Sequence, residues 1–551
     1  MTNLECFARN STKRYLQSIV FVDDEIYDKP SGRPAEIASA LPTMKSPFAK
    51  AGAPAAPAET KVDHVEKAPY HPKQLVESFA KEGMVCALYE PAENFGTGTD
   101  SELFKLCDRA DVVILDWDLF NEDGKNILPL ITNLVSASQT SVPHHVRLCV
   151  IYTSKPDLVR VANETYEALK KAGQTVEDVK NTSTLIAGAT QIIVLGKPGA
   201  PGRTPDSKAL EVAETQLANR VIDEFARMNS GILPAYALHG LAAIRNNSQR
   251  ILDKFHGEMD EVFLLHRALV IESEDAFDQL PELLSEEVLA VIQDRQIPSA
   301  TMAAISKEAA QTVKLDPKTL VGWNVNGKPA KDSLELARLF LGGGKPAIRN
   351  KCTFNYEHVT NLRIAMGCTQ TNSDKRLASL FNVRTRYVAS NSPPILGFGT
   401  IVRYSEQIGG QNEWVYFFCL MPICDGIRLK SGAGKRTLFP FWKLTNGIKG
   451  GVNGRGIIVR ASDNSYLELI AFGKPREMLW IDRFEPSASG TVTASQDGSS
   501  FWFQGEHRLE WIAQLKPTHA QRIAHDIGQS FSHVGVVEAE WVRLICDGKS
   551  E

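Results

Sequence analysis

The chain has 551 residues, of which 43% are hydrophobic and 23% charged, and its formal net charge is −4. That length holds about two to four domains, each with its own core, and so small a charge argues against a nucleic-acid binder or a membrane-surface protein as a whole. No apolar run is long enough to span a bilayer, and the N-terminal stretch sets a short apolar run beside acids without a signal-peptide cleavage pattern. Nine cysteines, mostly inside apolar runs such as residues 85–87 and 148–150, read as free core thiols rather than a disulfide framework. A soluble, cytoplasmic protein is expected.

In chain order, residues 18–22 form a β-branched, aromatic run that ends at Asp23, Asp24 and Glu25. From about residue 28 to 70 the composition shifts to Pro, Ala, Gly, Ser and Lys, with AGAPAAPAE the clearest piece. Such a segment cannot bury enough surface to order itself and is predicted to be a disordered insertion. Leu75 and Phe79 then stand at helical spacing before the strand-like 85–88. Leu103 and Leu106 precede 112–115, and Ile127, Leu130 and Leu134 precede 146–151. A further helix (Leu158, Val161, Leu169) is followed by the run 191–195 and a last helix around 209–227. Strands alternating with helices predict βαβ units and a doubly wound parallel sheet. The units fit a flavodoxin-like, five-stranded arrangement with insertions over residues 1–230, whose ligand sites lie at the carboxyl ends of the strands.

Residues 231–350 read as a helical connector, with Leu238, Leu241, Ile244, Ile251, Leu252 and Phe255 at helical spacing and further helices near 262–271 and 286–293. From about Phe354 the chain is expected to be strand-rich, with runs at 414–421, 456–459, 466–472, 478–481 and 501–504 separated by Gly, Asn and Ser turns. Helices at 518–531 and 538–544 would close a β-rich α+β domain over 351–551.

Asp23-Asp24, Asp116, Thr153 and Lys197-Pro198 each follow one of the strand-like runs of the first domain. Phosphoryl transfer needs a nucleophile, a divalent cation to neutralise phosphate charge, and donors for the phosphoryl oxygens. Asp116 is placed to be that nucleophile. Asp23 and Asp24 crowd it with negative charge, which a bound Mg²⁺ would relieve by coordinating all three acids. Thr153 offers a hydroxyl, Lys197 a cation, and Ser154 a small side chain and a backbone N–H for phosphate contact.

The ordered set resembles the receiver domain of two-component response regulators, and residues 116–124 (DWDLFNEDG) are similar throughout to the stretch around that family's phosphorylated aspartate. The resemblance implies Asp116 as phosphoacceptor, Asp23 and Asp24 as acidic Mg²⁺ residues, Thr153 and Lys197 as the signalling pair, and a histidine kinase as partner. Two positions depart from the pattern: Phe120 stands where receivers usually have proline, and Val194 where an aromatic switch residue commonly sits. The whole chain resembles large bacterial receiver proteins of anti-phage defence, and within them the buffer regulator of the Detocs system. That implies a phosphate sink competing with a paired effector regulator for one kinase.

Other signals are weaker. The glycine-lysine pieces 342–345 and 432–437 fail phosphate-loop spacing and read as solvated turns. Cys419 and Cys424 lack a second ligand pair and read as core thiols, with Asp425 a turn acid. His266 reads as an ordinary helix histidine rather than a phosphorelay group. Arg428, Lys430, Lys435, Arg436, Lys443, Lys449, Arg455 and Arg460 form a basic stretch without a recognition helix, so a solvated rim or partner surface is favoured over nucleic acid. A phosphorylation-gated effector enzyme would have to draw on the scattered Cys424, Asp425, His507, Glu510 and His519. No enzyme activity is expected, and a DNA-binding regulator is the third reading.

Overall fold

The computed structural model describes residues 1–26, 72–140, 145–179, 183–271, 273, 275–320, 323–325, 328–329, 333–349, 356–386, 393–432, 434–447, 456–461, 465–498 and 500–531. The insertion expected at 28–70, the helix expected at 538–544, and Lys449 and Arg455 lie outside these residues. The chain divides into two compact units, Met1–Thr312 with Arg338–Ala347, and Val313–Ala337 with Ile348–Glu551. Among the described residues no helix is long and apolar enough to cross a membrane.

The first unit runs α1 (Asn3–Tyr15), β1 (Ser18–Val22), α2 (Pro72–Lys81), β2 (Val85–Tyr89), α3 (Glu102–Arg109), β3 (Val112–Leu115), α4 (Ile127–Thr140), β4 (Arg147–Thr153), α5 (Leu158–Lys171), β5 (Glu177–Val179), β6 (Thr184–Ala187), β7 (Thr190–Gly196), α6 (Pro205–Lys208), α7 (Glu214–Met228) and α8 (Ile232–Leu252), followed by shorter helices. The sheet order is β2-β1-β3-β4-β7-β6-β5. Its first five strands pair in parallel, as expected. Every residue of β3, β4 and β7 is buried, because helices cover both faces of a parallel sheet and leave no polar side. The two faces carry separate cores, one around Val113, Ile151 and Leu134, the other around Phe21, Ile114 and Phe225.

Two strands were not expected. β5 and β6 form an antiparallel hairpin that extends the sheet beyond β7. They are only 3 and 4 residues long, too short for a period-two pattern to stand out.

Helix α8 packs on α1, and an ion pair fixes it to the amino end of the sheet. The carboxylate of Asp111 accepts from Gln17 N–H (2.9 Å) and Ser18 N–H (3.1 Å) and pairs with Arg245 Nη2 at 2.8 Å. The Arg245 guanidinium also lies 4.5 Å from the centre of the Tyr15 ring.

The second unit holds an antiparallel sheet built from Thr400–Ile408, Gln411–Cys419, Thr437–Asn446, Gly456–Arg460, Tyr466–Ile470, Leu479–Phe484, Ser495–Asp497, Ser500–Gln504 and Arg508–Gln514. Alternation along Gln411–Cys419 sends Tyr416 and Phe418 to one core, and Phe417 and Cys419 to the other, the period of two that a strand dictates. The helix Pro517–Phe531 supplies Ile523 and Ile527 to the first of these cores. The expectation of strands from about Phe354 is corrected. Tyr356–Ala365, Cys368–Thr371 and Ser373–Asn382 are helices, and the sheet starts at Thr400. Leu377, Leu380 and Phe381 already stand at helical spacing.

Asp111→Ala leaves two strand N–H groups and the Arg245 guanidinium without their acceptor. It is expected to destabilise the first unit by about 3 kcal/mol, read as a lower urea midpoint, with Asp111→Asn losing less.

Candidate phosphoacceptor site

Register brings the predicted residues to one end of the sheet. Val22 lies opposite Leu115, Leu115 opposite Ile151, and Thr153 opposite Gly196. Asp23, Asp116 and Lys197 are therefore the first residues past β1, β3 and β7, and Thr153 is the last of β4. Backbone pairing continues into the site: Asp116 N–H donates to Val22 O at 2.9 Å, and Lys197 N–H to Thr153 O at 2.8 Å.

Asp23, Asp24 and Asp116 each place a carboxylate oxygen within 4.8 Å of the other two, an arrangement that could hold a metal ion. Asp23 is 1% exposed and Asp116 7% exposed. Lys197 Nζ lies 2.8 Å from Asp23 Oδ2 and 3.4 Å from Asp116 Oδ2. Asp23 Oδ1 accepts from Glu25 N–H at 2.9 Å, and Asp24 Oδ2 from Phe120 N–H at 2.7 Å. Asp116 Oδ1 is buried and has no hydrogen-bond partner, a costly state for a carboxylate oxygen unless something else occupies it.

Burial pushes the Asp116 carboxyl above its ordinary pKa; Lys197 opposes this and Asp23 adds to it. Asp24 is also raised by burial, against the Phe120 hydrogen bond. Burial works against the Lys197 ammonium, but the charges of Asp116 and Asp23 outweigh it and hold its pKa above the usual lysine value. The site thus favours cations and resists a further negative charge unless one accompanies it.

Thr153 is buried, and its Oγ1 accepts from Lys155 N–H at 3.2 Å. An oxygen that already accepts can direct its own proton elsewhere. Ser154 follows and is exposed.

The loop after Asp116 explains the first departure from the receiver pattern. Phe120 has φ 56° and gives its N–H to Asp24. Proline is locked near φ −65° and has no N–H, so it fails here on both counts. Trp117 is fully buried and donates Nε1–H to Asp123 Oδ1 at 2.9 Å. The Arg160 hydrogen bond holds the Asp123 carboxyl below the usual range. Asp118 pairs with Lys155 at 2.9 Å.

At the second departure, Val194 is buried inside β7 and gives its N–H to Ser183 O at 3.0 Å. The neighbouring aromatic is Tyr152, on β4, whose ring centre is 5.9 Å from Lys197 Nζ and whose hydroxyl donates to Val212 O at 2.7 Å. Sequence reading missed Tyr152 and also Arg203, whose buried guanidinium donates to Lys197 O and Thr153 O. Tyr152 is adjacent to Thr153 in a strand and could have been found from that position. Arg203 lies in a Pro/Gly-rich loop with no pattern to mark it.

The weaker candidates stay apart. Cys419 is buried, and burial pushes its thiol up to about 12. Cys424 is instead exposed, beside Asp425, which corrects its reading as a core thiol. Glu510 pairs with Arg403 at 2.7 Å. His507 lies 3.5 Å from the buried Asp482. Burial and Arg522 lower His519 to about 4. His266 meets Gln279 on an exposed helix. Residues 342–345 fall in the helix Ser333–Ile348, with a kink at Gly344, rather than in a turn.

Gly124 has φ +84°, and a Cβ there would stand 2.3 Å from Trp117 Cζ2. Gly124→Ala is therefore expected to cost about 2–3 kcal/mol, read as a lower thermal midpoint, while a change at the open Gly173 position costs less.

Residues 15–201 match the family model of the response receiver domain. No curated protein and no solved structure matches the chain. The matched span contains the whole parallel sheet with its acids, Thr153 and Lys197. The N-terminal part of this chain therefore carries a response-regulator receiver domain.

Proposed function

We propose that the protein accepts a phosphoryl group from a histidine kinase onto Asp116 and acts as a signalling or phosphate-buffer component of a bacterial anti-phage, two-component-like system. The observation that carries this reading is Asp116 Oδ1, buried and unbonded beside two further carboxylates and the Lys197 ammonium. In the transfer, an Asp116 oxygen bonds to phosphorus as the P–N bond to the donor histidine breaks, and the departing imidazole takes up a proton. Lys197 balances charge on the phosphoryl oxygens. Thr153 donates its hydroxyl proton to one of them, and the exposed Ser154 offers its backbone N–H. Asp23, Asp24 and Asp116 would hold Mg²⁺, which when bound supplies the positive charge that lets a phosphoryl group approach three acids.

The buffer role is supported by the resemblance to the Detocs buffer regulator and by Val194, a core residue where an aromatic readout would stand. In this reading the chain has no enzymatic output of its own. A paired effector regulator competes with it for the kinase.

The test is phosphotransfer to the full chain from a kinase encoded beside it. Wild type is expected to take label only with Mg²⁺, Asp116→Ala to take none, and Lys197→Ala to be slowed about 100-fold or more. An unlabelled wild type would sink the proposal. Toxicity or substrate turnover caused by phosphorylated wild type would replace the buffer role with an effector role.

A further inference from the structure

Arg203 is 6% exposed, and its guanidinium is spent on the backbone of two loops. Nη1 donates to Lys197 O at 2.5 Å, Nη2 to Thr153 O at 2.8 Å, and Lys155 O accepts from Nη2 at 3.3 Å and Nε at 3.4 Å. Nη1 also pairs with Glu211 Oε1 at 2.9 Å. The group lies so close to β7 that a Cβ at Gly196 would stand 2.3 Å from Nη1. The loop closes behind it, with Gly196 N–H donating to Leu210 O and Val212 N–H to Gly196 O, both at 3.0 Å.

Burying a guanidinium is costly unless its donors are matched. The planar fork of arginine can hold several carbonyls in fixed relative positions, which the point charge of lysine cannot. The carbonyls held here belong to Thr153, Lys155 and Lys197. Asp23 and Asp24 also accept backbone donors that Arg203 does not touch, Glu25 N–H and Phe120 N–H.

We infer that Arg203 is a positioning residue for phosphoryl transfer, fixing the Thr153 and Lys197 loops to each other so that hydroxyl and ammonium meet the phosphoryl oxygens as one rigid pair. The inference rests on the phosphoacceptor reading of Asp116. It predicts that Arg203 governs the transfer step far more strongly than cation binding at the three acids.

Full-length wild type, Arg203→Gln and Arg203→Lys would be given phosphoramidate in MgCl₂. The Asp116–phosphorus bond forms as the P–N bond breaks, and ammonia leaves with the protons it already carries. The saturating labelling rate and the Mg²⁺ affinity, from tryptophan fluorescence, are measured separately. Arg203→Gln is expected to label about 10–100-fold more slowly, the scale of a misplacement near 1 Å, with a far smaller change in Mg²⁺ affinity. Arg203→Lys should recover part of the rate. If Arg203→Gln does not fold, Arg203→Lys decides by the same two readouts. Wild-type labelling in the variant overturns the inference, as does a parallel loss of rate and Mg²⁺ affinity, or failure of both variants to fold. An unlabelled wild type instead overturns the phosphoacceptor reading, and the inference with it.

Discussion

Asp23 and Asp116 share the ammonium of Lys197 at the end of a parallel sheet whose strands β3, β4 and β7 are buried throughout, and the rest of the N-terminal unit is arranged around that triangle. Removing one partner of a buried ion pair costs about 3–5 kcal/mol, because the charge left behind has no water to turn to. The strand ends therefore cannot drift: a shift of β1, β3 or β7 by one residue would send each of these side chains to the opposite face. Parallel pairing runs the full length of β4 and β7, from Arg147 opposite Thr190 to Thr153 opposite Gly196. At the other end of the same sheet, the Asp111–Arg245 pair does a similar job for α8.

The pair with Lys197 satisfies only part of the negative charge. Asp24 approaches from the same loop, and its hydrogen bond from Phe120 joins it to the turn after Asp116. That turn is tightly specified by its own contacts. Trp117 fills the space beneath it, Asp123 fastens the indole, and Gly124 has no side chain because the indole lies where one would be. Residues whose side chains never face the acidic cluster thus determine where Asp116 and Asp24 sit.

Much of this was legible in the sequence. Asp116 ends an unbroken apolar run and Lys197 follows another, so their position at strand ends follows from the rule for parallel sheets. What stayed hidden depends on tertiary contact. A positive φ at Phe120 leaves no trace in composition, and the absent proline is intelligible only once that angle and the Asp24 bond are known. Arg203 sits among prolines and glycines that signal a loop and say nothing about a buried guanidinium. The helices at 356–382 were obscured by the polar residues of that stretch, although their apolar spacing was present.

The hairpin β5–β6 bears on what the site can do once it is occupied. A parallel sheet that ended at β7 would leave that strand as a free edge. Here β6 pairs with it from Thr184 opposite Ile193 to Ala187 opposite Thr190, and Ser183 O takes the Val194 N–H. Val194 is packed into the same core as Ile151 and Leu185, and close-packed interiors resist small displacements. A change at Lys197 therefore meets a strand braced on both sides and no aromatic ring at position 194 to rotate. The backbone beyond it, from Lys197 to Glu211, is tied to Thr153 through Arg203. Bracing of this kind resists displacement of β7, and the loop beyond Lys197 is fastened to the end of β4 rather than free to move alone.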